Sequence, residues 1–340
     1  MYRGSALMKK YLLPEDGNYY KANLHAHSTV SDGAYTPAEL KELYKSHGYS
    51  ILALTDHELL VDHSDLDDED FLTLTSLEYA FIENKPYSHA RTIELNMFAR
   101  DQHNETQVCF DPAYVFHGEK WRVPDVKRVG DIYKRSYKVE SIQQVIDEAR
   151  ANGFLVSLNH PGYSMETPEF FGALDGLFAM EIYNHISFIG SGVYDYNPAM
   201  YDDMLRRGKR LYCIAADDCH GGWRDESPKC DRYGGFVMIK ADELEYSKII
   251  SALENGDFYA SPGPLIEELY VEDGVAHIRT SAAKYIAMNT CTRPFGGIAA
   301  AGEGEYIFEA TFKLPASGYF RFDVIDERGR HANTRAYFVE

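Results

Sequence analysis

Short apolar runs alternate with helix-like segments through most of this 340-residue chain, and several of the runs end in histidine or acidic residues. Such alternation favours a parallel sheet or barrel with helices on the outside. In (β/α) barrels the functional side chains lie at the carboxyl ends of the strands. The alternation therefore limits the chain to folds in which these polar residues come together at one end of the strands.

The apolar runs predict six strands in the first part of the chain, at residues 51–54, 72–77, 93–98, 154–158, 179–183 and 211–215. Three helices are also predicted. The first begins at Thr36, where a capping box with Glu39 is followed by proline at the first helical position. The other two begin near Ser141 and Tyr246, and each ends at a glycine.

The sequence changes character at residues 261–264, which read Ser-Pro-Gly-Pro. Beyond them, short alternating runs separated by turn residues predict a small antiparallel β domain. We therefore predict a larger α/β domain over residues 1–264 and a small β domain over residues 265–340. An insertion at about 102–137 interrupts the first domain, and loops of this length are usually functional lids or disordered segments. Its basic part suits an anionic ligand, although a solvated surface is the more ordinary interpretation.

Composition argues against several classes of protein. The net charge is −19, from 34 basic and 53 acidic residues, and a field of that sign repels duplex nucleic acid and anionic membranes. No signal segment is recognisable, and no apolar run reaches the roughly 18 residues of a membrane span. Five cysteines without a C-x-x-C pair suit a reducing compartment. We expect a cytoplasmic protein with no membrane or duplex nucleic acid partner, and the oligomeric state stays open.

Histidine and carboxylate residues cluster at five strand ends. His25 and His27 are two residues apart in a predicted strand over residues 20–27, so their side chains point the same way. The other members of the clusters are Asp32, Asp56, His57, Glu78, His160, Asp217, Asp218 and His220. Imidazole and carboxylate are ligands of Zn²⁺, Mn²⁺ and Fe²⁺. One such cluster is compatible with a structural role, but five at successive strand ends predict a centre for several metal ions.

These motifs resemble those of the PHP (polymerase and histidinol phosphatase) superfamily of metal-dependent phosphoesterases, and the likeness covers nearly the whole chain. Residues 258–264 and the β tail are similar to a two-domain branch related to carbaryl-hydrolase-like proteins. The resemblance implies a distorted seven-stranded (β/α) barrel that carries the small C-terminal antiparallel β domain. It also implies two to three divalent metal ions, with zinc, manganese or iron expected and magnesium as a further candidate.

The resemblance also implies which residues hold each ion. One ion would be held by His25, His27, Glu78 and Asp218, another by Asp32, His57 and His220, and the remaining one by Glu78, His160 and one further ligand. The family usually has a histidine at that further position, where this chain has Glu94. His89 is the alternative, and an incomplete site is the third outcome. A carboxylate there shifts the preference toward Mn²⁺, Mg²⁺ or Fe²⁺. Asp56 and Asp217 are expected to support ligands.

We predict hydrolysis of a phosphate mono- or diester by a metal-bridging hydroxide. The residues assigned to catalysis are Glu78, Asp218, His185 and Arg224. His185 would contact the substrate or supply a proton, or be a plain loop residue, and Arg224 would clamp phosphate or be solvated. The expected substrate is a small phosphorylated molecule or a short oligonucleotide end. Two alternatives remain: a metal-dependent hydrolase of carboxylic esters, carbamates or amides, and a non-enzymatic, metal-stabilised binding module.

Overall fold

The structure, a computed structural model, describes residues 9–84, 90–293 and 296–339. The strands in these ranges are β1 (Lys10–Tyr11), β2 (Asn18–Asn23), β3 (Ile51–Leu54), β4 (Leu72–Ile82), β5 (Thr92–Ala99), β6 (Phe154–Leu158), β7 (Ala179–Asn184), β8 (Tyr212–Ala216), β9 (Phe236–Ala241), β10 (Phe258–Ser261), β11 (Ile266–Glu272), β12 (Val275–Ala283), β13 (Tyr285–Thr290), β14 (Gly297–Ala300), β15 (Ile307–Lys313), β16 (Gly318–Ile325), β17 (His331–Thr334) and β18 (Tyr337–Val339). The α-helices are α1 (Pro37–Ser46), α2 (Val139–Ala151), α3 (Pro168–Gly172), α4 (His185–Gly190), α5 (Pro198–Arg206) and α6 (Tyr246–Asn255).

One large sheet of fourteen strands runs in the order β14-β13-β16-β17-β10-β9-β2-β3-β4-β5-β6-β7-β8, with β18 beside β16. Between β2 and β8 most neighbours are parallel, as predicted, but β5 is antiparallel to both β4 and β6. The connection from β4 to β5 is too short for a parallel crossover, which needs a dozen or more residues, so these two strands pair as a hairpin. The predicted mixed α/β class is confirmed.

The segment that follows β2 and the segment that follows β8 meet just beyond the ends of these two strands. The backbone N–H of His27 donates to the carbonyl of Cys219 over 2.8 Å, and that of Asp218 donates to the carbonyl of His25 over 2.9 Å. Ala26 and Cys219 thereby form a parallel bridge. These contacts bring the segments that follow β2 and β8 together at the end that carries the predicted ligands.

Local sequence signals account for the helices. Thr36 and Glu39 form the predicted capping box at the start of α1. α6 spans the predicted residues and ends at Gly256, whose φ of 72° a glycine adopts without strain. α2 begins two residues before the predicted Ser141, at Val139. None of the helices in the described ranges combines the length and the apolar character needed to cross a bilayer.

The strands after residue 265 are antiparallel, as the alternating runs predict. They divide between two sheets: β11, β12 and β15 form a second sheet with β1 from the N-terminal part of the chain, and the others extend the large sheet through the pairing of β17 with β10. Their hydrophobic core also takes in Leu13 and Tyr259. The division at residues 264 and 265 stays a prediction, since the core beneath these strands includes residues from before it.

Candidate metal centre

Three buried residues form what we call the inner group: His25, His27 and Asp218. The Nε2 atoms of His25 and His27 are 3.2 Å apart, and Asp218 Oδ1 lies 3.3 Å from the first and 3.1 Å from the second. The strand predicted to reach His27 ends at Asn23, because the backbone beyond it pairs with the segment after β8. The two rings nevertheless face one point.

Glu78, in β4, faces both the inner group and its neighbours. Its Oε1 is 3.3 Å from His25 Nε2, and its Oε2 is 3.4 Å from His27 Nε2 and 3.0 Å from His57 Nδ1. This placement agrees with the bridging role that the resemblance implies for Glu78.

His57, Glu78 and Glu94 form the middle group. His160 lies beside it, with its Nε2 3.3 Å from Glu94 Oε2 and 3.6 Å from Glu78 Oε1. Glu94 therefore occupies the place expected for the further ligand. The alternative candidate, His89, lies outside the described residues.

The outer group consists of His27, Asp32, His57 and His220. Asp32 Oδ1 lies 3.8 Å from His57 Nε2, 3.6 Å from His220 Nε2 and 3.8 Å from His27 Nδ1. His27 and His57 thus present one ring nitrogen to this group and the other to a neighbouring group. The three groups form one continuous cluster of donors.

The spacing of the inner donors fits a divalent ion. Ligands around a tetrahedral Zn²⁺ with bonds of roughly 2.0–2.1 Å are about 3.3 Å apart. The separations among the inner group and Glu78 given above run from 3.1 to 3.4 Å. The middle group contains more carboxylate oxygen, which suits Mn²⁺ or Fe²⁺. The donor chemistry of the cluster therefore fits divalent metal ions.

Glu181, which sequence reasoning missed, holds two of the predicted ligands in place. This buried residue of β7 lies 2.7 Å from His25 Nδ1 and accepts a hydrogen bond from the backbone N–H of His160 over 2.8 Å. In the neutral ring of His25 this contact places the proton on Nδ1, so that the lone pair of Nε2 faces the inner group. A glutamate inside the apolar run 179–183 was the available signal.

Asp56 and Asp217 support the backbone around the ligands. Asp56 accepts hydrogen bonds from the backbone N–H groups of Ser28 and Ser31, over 2.7 and 3.1 Å, and so shapes the turn that carries Asp32. Asp217 accepts from three backbone N–H groups at residues 233–235. Both residues are structural supports, and Asp56 contacts the turn instead of a ligating histidine.

Among the residues in and beside the centre, Asp218 and Glu58 have left-handed backbone conformations that side chains rarely adopt. The φ angles are 57° for Asp218 and 68° for Glu58. Such conformations cost roughly 1–3 kcal/mol and persist only where the surroundings enforce them. The surrounding structure therefore holds Asp218 and Glu58 in backbone conformations that these residues rarely adopt by themselves.

The acidic and basic groups of the centre shift each other's protonation strongly. Burial alone would lower the pKa of His57, but the nearby carboxylates, Glu78 above all, raise the pKa of His57 to about 10. The pKa of His25 is also raised well above its ordinary range against the effect of burial, chiefly by Asp218. Conversely, the histidines outweigh burial and lower the pKa of Glu78 well below its ordinary range. Glu78 is therefore ionised at neutral pH, and His25 and His57 must release protons to bind ions.

Two cavities open from the centre. The open cavity, of about 580 Å³, extends past Tyr163, Trp223 and Lys229. The insertion pocket, of about 300 Å³, lies between the hairpin of β4 and β5 and the insertion. The two cavities share three predicted ligands in their walls: Asp32, His57 and Glu94. The cluster of donors therefore stands where two binding spaces join.

His185 and Arg224 lie outside both cavities. The ring of His185 is engaged elsewhere, with Nδ1 2.8 Å from the hydroxyl of Tyr183 and Nε2 3.0 Å from the carbonyl of Cys230. Arg224 is exposed on the loop after His220, and Lys229 is the basic residue that reaches the open cavity. The catalytic roles predicted for His185 and Arg224 find no support in these positions.

Comparison with known proteins finds no matching family model and no matching curated protein. Among solved structures, the chain is similar to a two-domain protein from Bacteroides vulgatus described as containing a predicted PHP-like metal-dependent phosphoesterase, with 15% identity, 99% of each chain covered and a TM-score of 0.44. It is also similar to an amidohydrolase from Chromobacterium violaceum, with 18% identity, 62% of this chain and 93% of the other covered, and a TM-score of 0.39.

Neither protein is described as a member of the carbaryl-hydrolase-like branch, which stays a prediction. Because both TM-scores are below 0.5, neither likeness decides which reaction this chain catalyses.

Proposed function

We propose that this protein is a metal-dependent phosphoesterase of the PHP type. The observation that carries the proposal is the continuous cluster of three donor groups, linked by Glu78, His27 and His57 and open to two cavities at the strand ends. A closed set of four ligands is typical of a structural metal site, whereas donors that face a cavity leave positions for substrate. A purely structural role explains this arrangement less well than catalysis.

The three groups would hold two to three ions of zinc, manganese or iron, with magnesium as a further candidate. His25, His27, Asp218 and Glu78 would hold the first ion, the middle group with His160 a second, and the outer group a third. When bound, such ions supply Lewis-acid charge to the phosphoryl group and lower the pKa of a water molecule toward neutrality.

The residues of the chain have their own tasks in this proposal. Glu78 and Asp218 stay ionised at neutral pH, because the histidines beside them keep the pKa of each carboxyl well below its ordinary range. Glu181 fixes the ring of His25 with its lone pair toward the inner group. Lys229, whose Nζ lies 5.2 Å from the ring centre of Trp223, offers a positive charge in the wall of the open cavity to an anionic substrate.

The barrel and the domain division belong to the same proposal. The ring of strands from β2 to β8, joined at Ala26 and Cys219, supports a distorted seven-stranded barrel. The separate hydrophobic core beneath the C-terminal strands supports a second unit of structure. The centre would then lie at the mouth of the barrel, at the carboxyl ends of its strands.

A second candidate function is hydrolysis of a carboxylic ester, a carbamate or an amide at the same centre. The observation that favours it is the insertion pocket, whose walls include the apolar side chains of Ile82, Tyr114 and Phe116. Apolar walls with a few polar groups are typical of pockets for uncharged small molecules.

A three-substrate assay separates the two functions. The purified protein, loaded in turn with Mn²⁺, Zn²⁺ and Fe²⁺, is given p-nitrophenyl phosphate, bis(p-nitrophenyl) phosphate and p-nitrophenyl acetate. We expect turnover of at least one phosphoester and its loss in Asp218→Asn, which removes one charge from the inner group. Turnover of the acetate alone would favour the second function, and undiminished phosphoester turnover in Asp218→Asn would overturn the proposed site.

A further inference from the structure

The floor of the insertion pocket is the same face of β4 that carries Glu78. Side chains two residues apart in a strand share a face, and Ala80 and Ile82 follow Glu78 at that spacing. Ala80 and Ile82 line the insertion pocket, and Ala80 pairs across the hairpin with Glu94. One strand therefore passes directly from ligand residues to an apolar surface.

The opposite wall of the insertion pocket comes from residues 102–137. The backbone N–H of Glu119 donates to the carbonyl of Val30 over 2.9 Å, next to the turn that carries Asp32. Gly118, with a φ of 61°, packs so closely on the same turn that a Cβ atom there would meet the carbonyl oxygens of Val30 and Ser31. The insertion is thus packed against the centre, and it is more than a solvated excursion.

A buried ion pair joins the C-terminal part of the insertion to the segment that follows β3. Arg135 is bonded to the carboxylate of Glu58, the residue after His57, and both side chains are at most 1% exposed. The guanidinium carbon of Arg135 also lies 4.4 Å from the ring centre of Tyr79 and 4.1 Å from that of Tyr114. Because Arg135 balances the charge of Glu58, the pocket wall at Glu58 presents a neutral pair.

Phe116 is an apolar residue of the insertion pocket that remains exposed to solvent. It is 43% exposed although it lines the insertion pocket. The pocket volume of about 300 Å³ exceeds the roughly 150 Å³ that suffices for a benzene molecule in a protein cavity. A ring-sized apolar group in the pocket would cover Phe116 and remain next to Asp32, His57 and Glu94.

We infer that the substrate carries an apolar, ring-sized group on one side of its scissile bond, and that the insertion pocket binds this group. The inference rests on the proposed function in that it takes the metal centre as the place of reaction. The scissile group lies at the junction of the cavities, and the more polar part of the substrate extends past Lys229 in the open cavity. The insertion then selects the substrate by its apolar group.

Calorimetry with non-hydrolysable probes tests this inference without relying on turnover. The metal-loaded protein is titrated with phenylphosphonate and with methylphosphonate, which share the anionic group and differ in the ring. We expect phenylphosphonate to bind at least about tenfold more tightly, because the ring buries apolar surface. Equal affinities would overturn the inference.

Two variants place the effect in the pocket. Ile82→Trp fills the pocket, and Phe116→Ala removes its exposed wall. We expect each to bring the affinity ratio below about threefold while methylphosphonate binding stays as in the unaltered protein. The matched control is Trp121→Ala, which removes an aromatic side chain that is 66% exposed in the same insertion but lies outside this pocket. An unchanged ratio in both pocket variants would overturn the inference.

These experiments distinguish failure of the pocket inference from failure of the proposed function. If the protein turned over p-nitrophenyl phosphate but bound phenylphosphonate and methylphosphonate equally, the pocket assignment would be wrong and the proposed phosphoesterase function would be unaffected. A ring preference that the pocket variants abolish, in a protein that releases no phosphate from any ester, would keep the pocket and overturn the phosphoesterase.

Discussion

The inner and outer groups of the centre both consist of histidine and aspartate side chains, but these side chains differ in how far they are exposed to solvent. Side chains of the inner group are at most 9% exposed, whereas those of Asp32, His57 and His220 are 26–30% exposed. Inner donors lie within 3.3 Å of one another, and the outer contacts to Asp32 are 3.6–3.8 Å. The comparison teaches that the inner donors are enclosed and closely spaced by the fold. The outer donors are more widely spaced and remain accessible from solvent.

The largest expected contrast comes from making the same change on each side. We expect His25→Gln to lose the inner ion and to reduce turnover at least about 1,000-fold, since Lewis-acid stabilisation is worth several kcal/mol. We expect His220→Gln to keep the inner ion and lose only about 10–100-fold. Elemental analysis after dialysis and a phosphate-release assay measure both effects. Equal losses of metal and turnover would remove the distinction between the groups.

A second test asks what holds the outer side in place. Arg135→Met leaves the carboxylate of Glu58 buried without its counter-charge, which is expected to destabilise the protein by about 3–5 kcal/mol in urea unfolding. As a control, Arg122→Met breaks a partly exposed pair with Glu119 in the same insertion and is expected to cost about 1 kcal/mol or less. Adding Glu58→Gln to Arg135→Met is expected to restore most of the stability. If the two arginine variants unfold at the same urea concentration, the anchor is not the buried pair.

Glu181 offers a smaller test on the inner side. Glu181→Gln keeps the shape of the side chain but removes the charge beside His25 Nδ1, and loss of such a supporting carboxylate typically weakens metal binding 10–100-fold. We expect the largest loss for the inner ion, measured by competition with a chelator, because Glu181 contacts His160 only through its backbone. Glu169→Gln, on an exposed carboxylate, is the control. A uniform loss over all ions would mean that Glu181 supports the fold in general.

The smallest effect concerns pH. The pKa of His57 in the ion-free protein is about 10, above its unfolded value of roughly 6.5. Its contribution to stability is therefore fully present below about pH 6.5 and is lost as the pH rises toward 10. We expect the melting temperature of chelator-treated protein to fall by a few degrees over this range, less so in His57→Gln. Added metal should reverse the trend, because ions bind the deprotonated ring. A fall of the same size in His57→Gln would assign it to other groups.

Sequence reasoning found the elements whose signals are local. The capping box at Thr36 and the glycine after α6 predict helix ends correctly, and residues 51–54 and 154–158 are strands as predicted. The antiparallel placement of β5 depends on the length of a connection, and the apolar character of its residues does not reveal it. A pattern within one strand also cannot show that β1 pairs with β11, far along the chain.

The same limit applies to the site. Recurring histidines and carboxylates pointed to residues that the structure brings together, although Glu78 and Glu94 lie within β4 and β5 and not at strand ends. Glu181 was missed because it supports His25 across the fold, and the predicted roles of His185 and Arg224 lack support because local position does not show which way a side chain faces. The insertion was recognised by its length, but its pairing of Arg135 with Glu58 required the tertiary structure.

The bridge between Ala26 and Cys219 brings His27 beside Asp218, which follows it by 191 positions in the chain. At a synthesis rate of about 5–20 residues per second, roughly 10–40 s separate the appearance of these two ligands on a ribosome. During that time His25 and His27 are present without the carboxylate that completes their group. The ligand set proposed for the inner ion is therefore complete only after the segment that follows β8 has been synthesised.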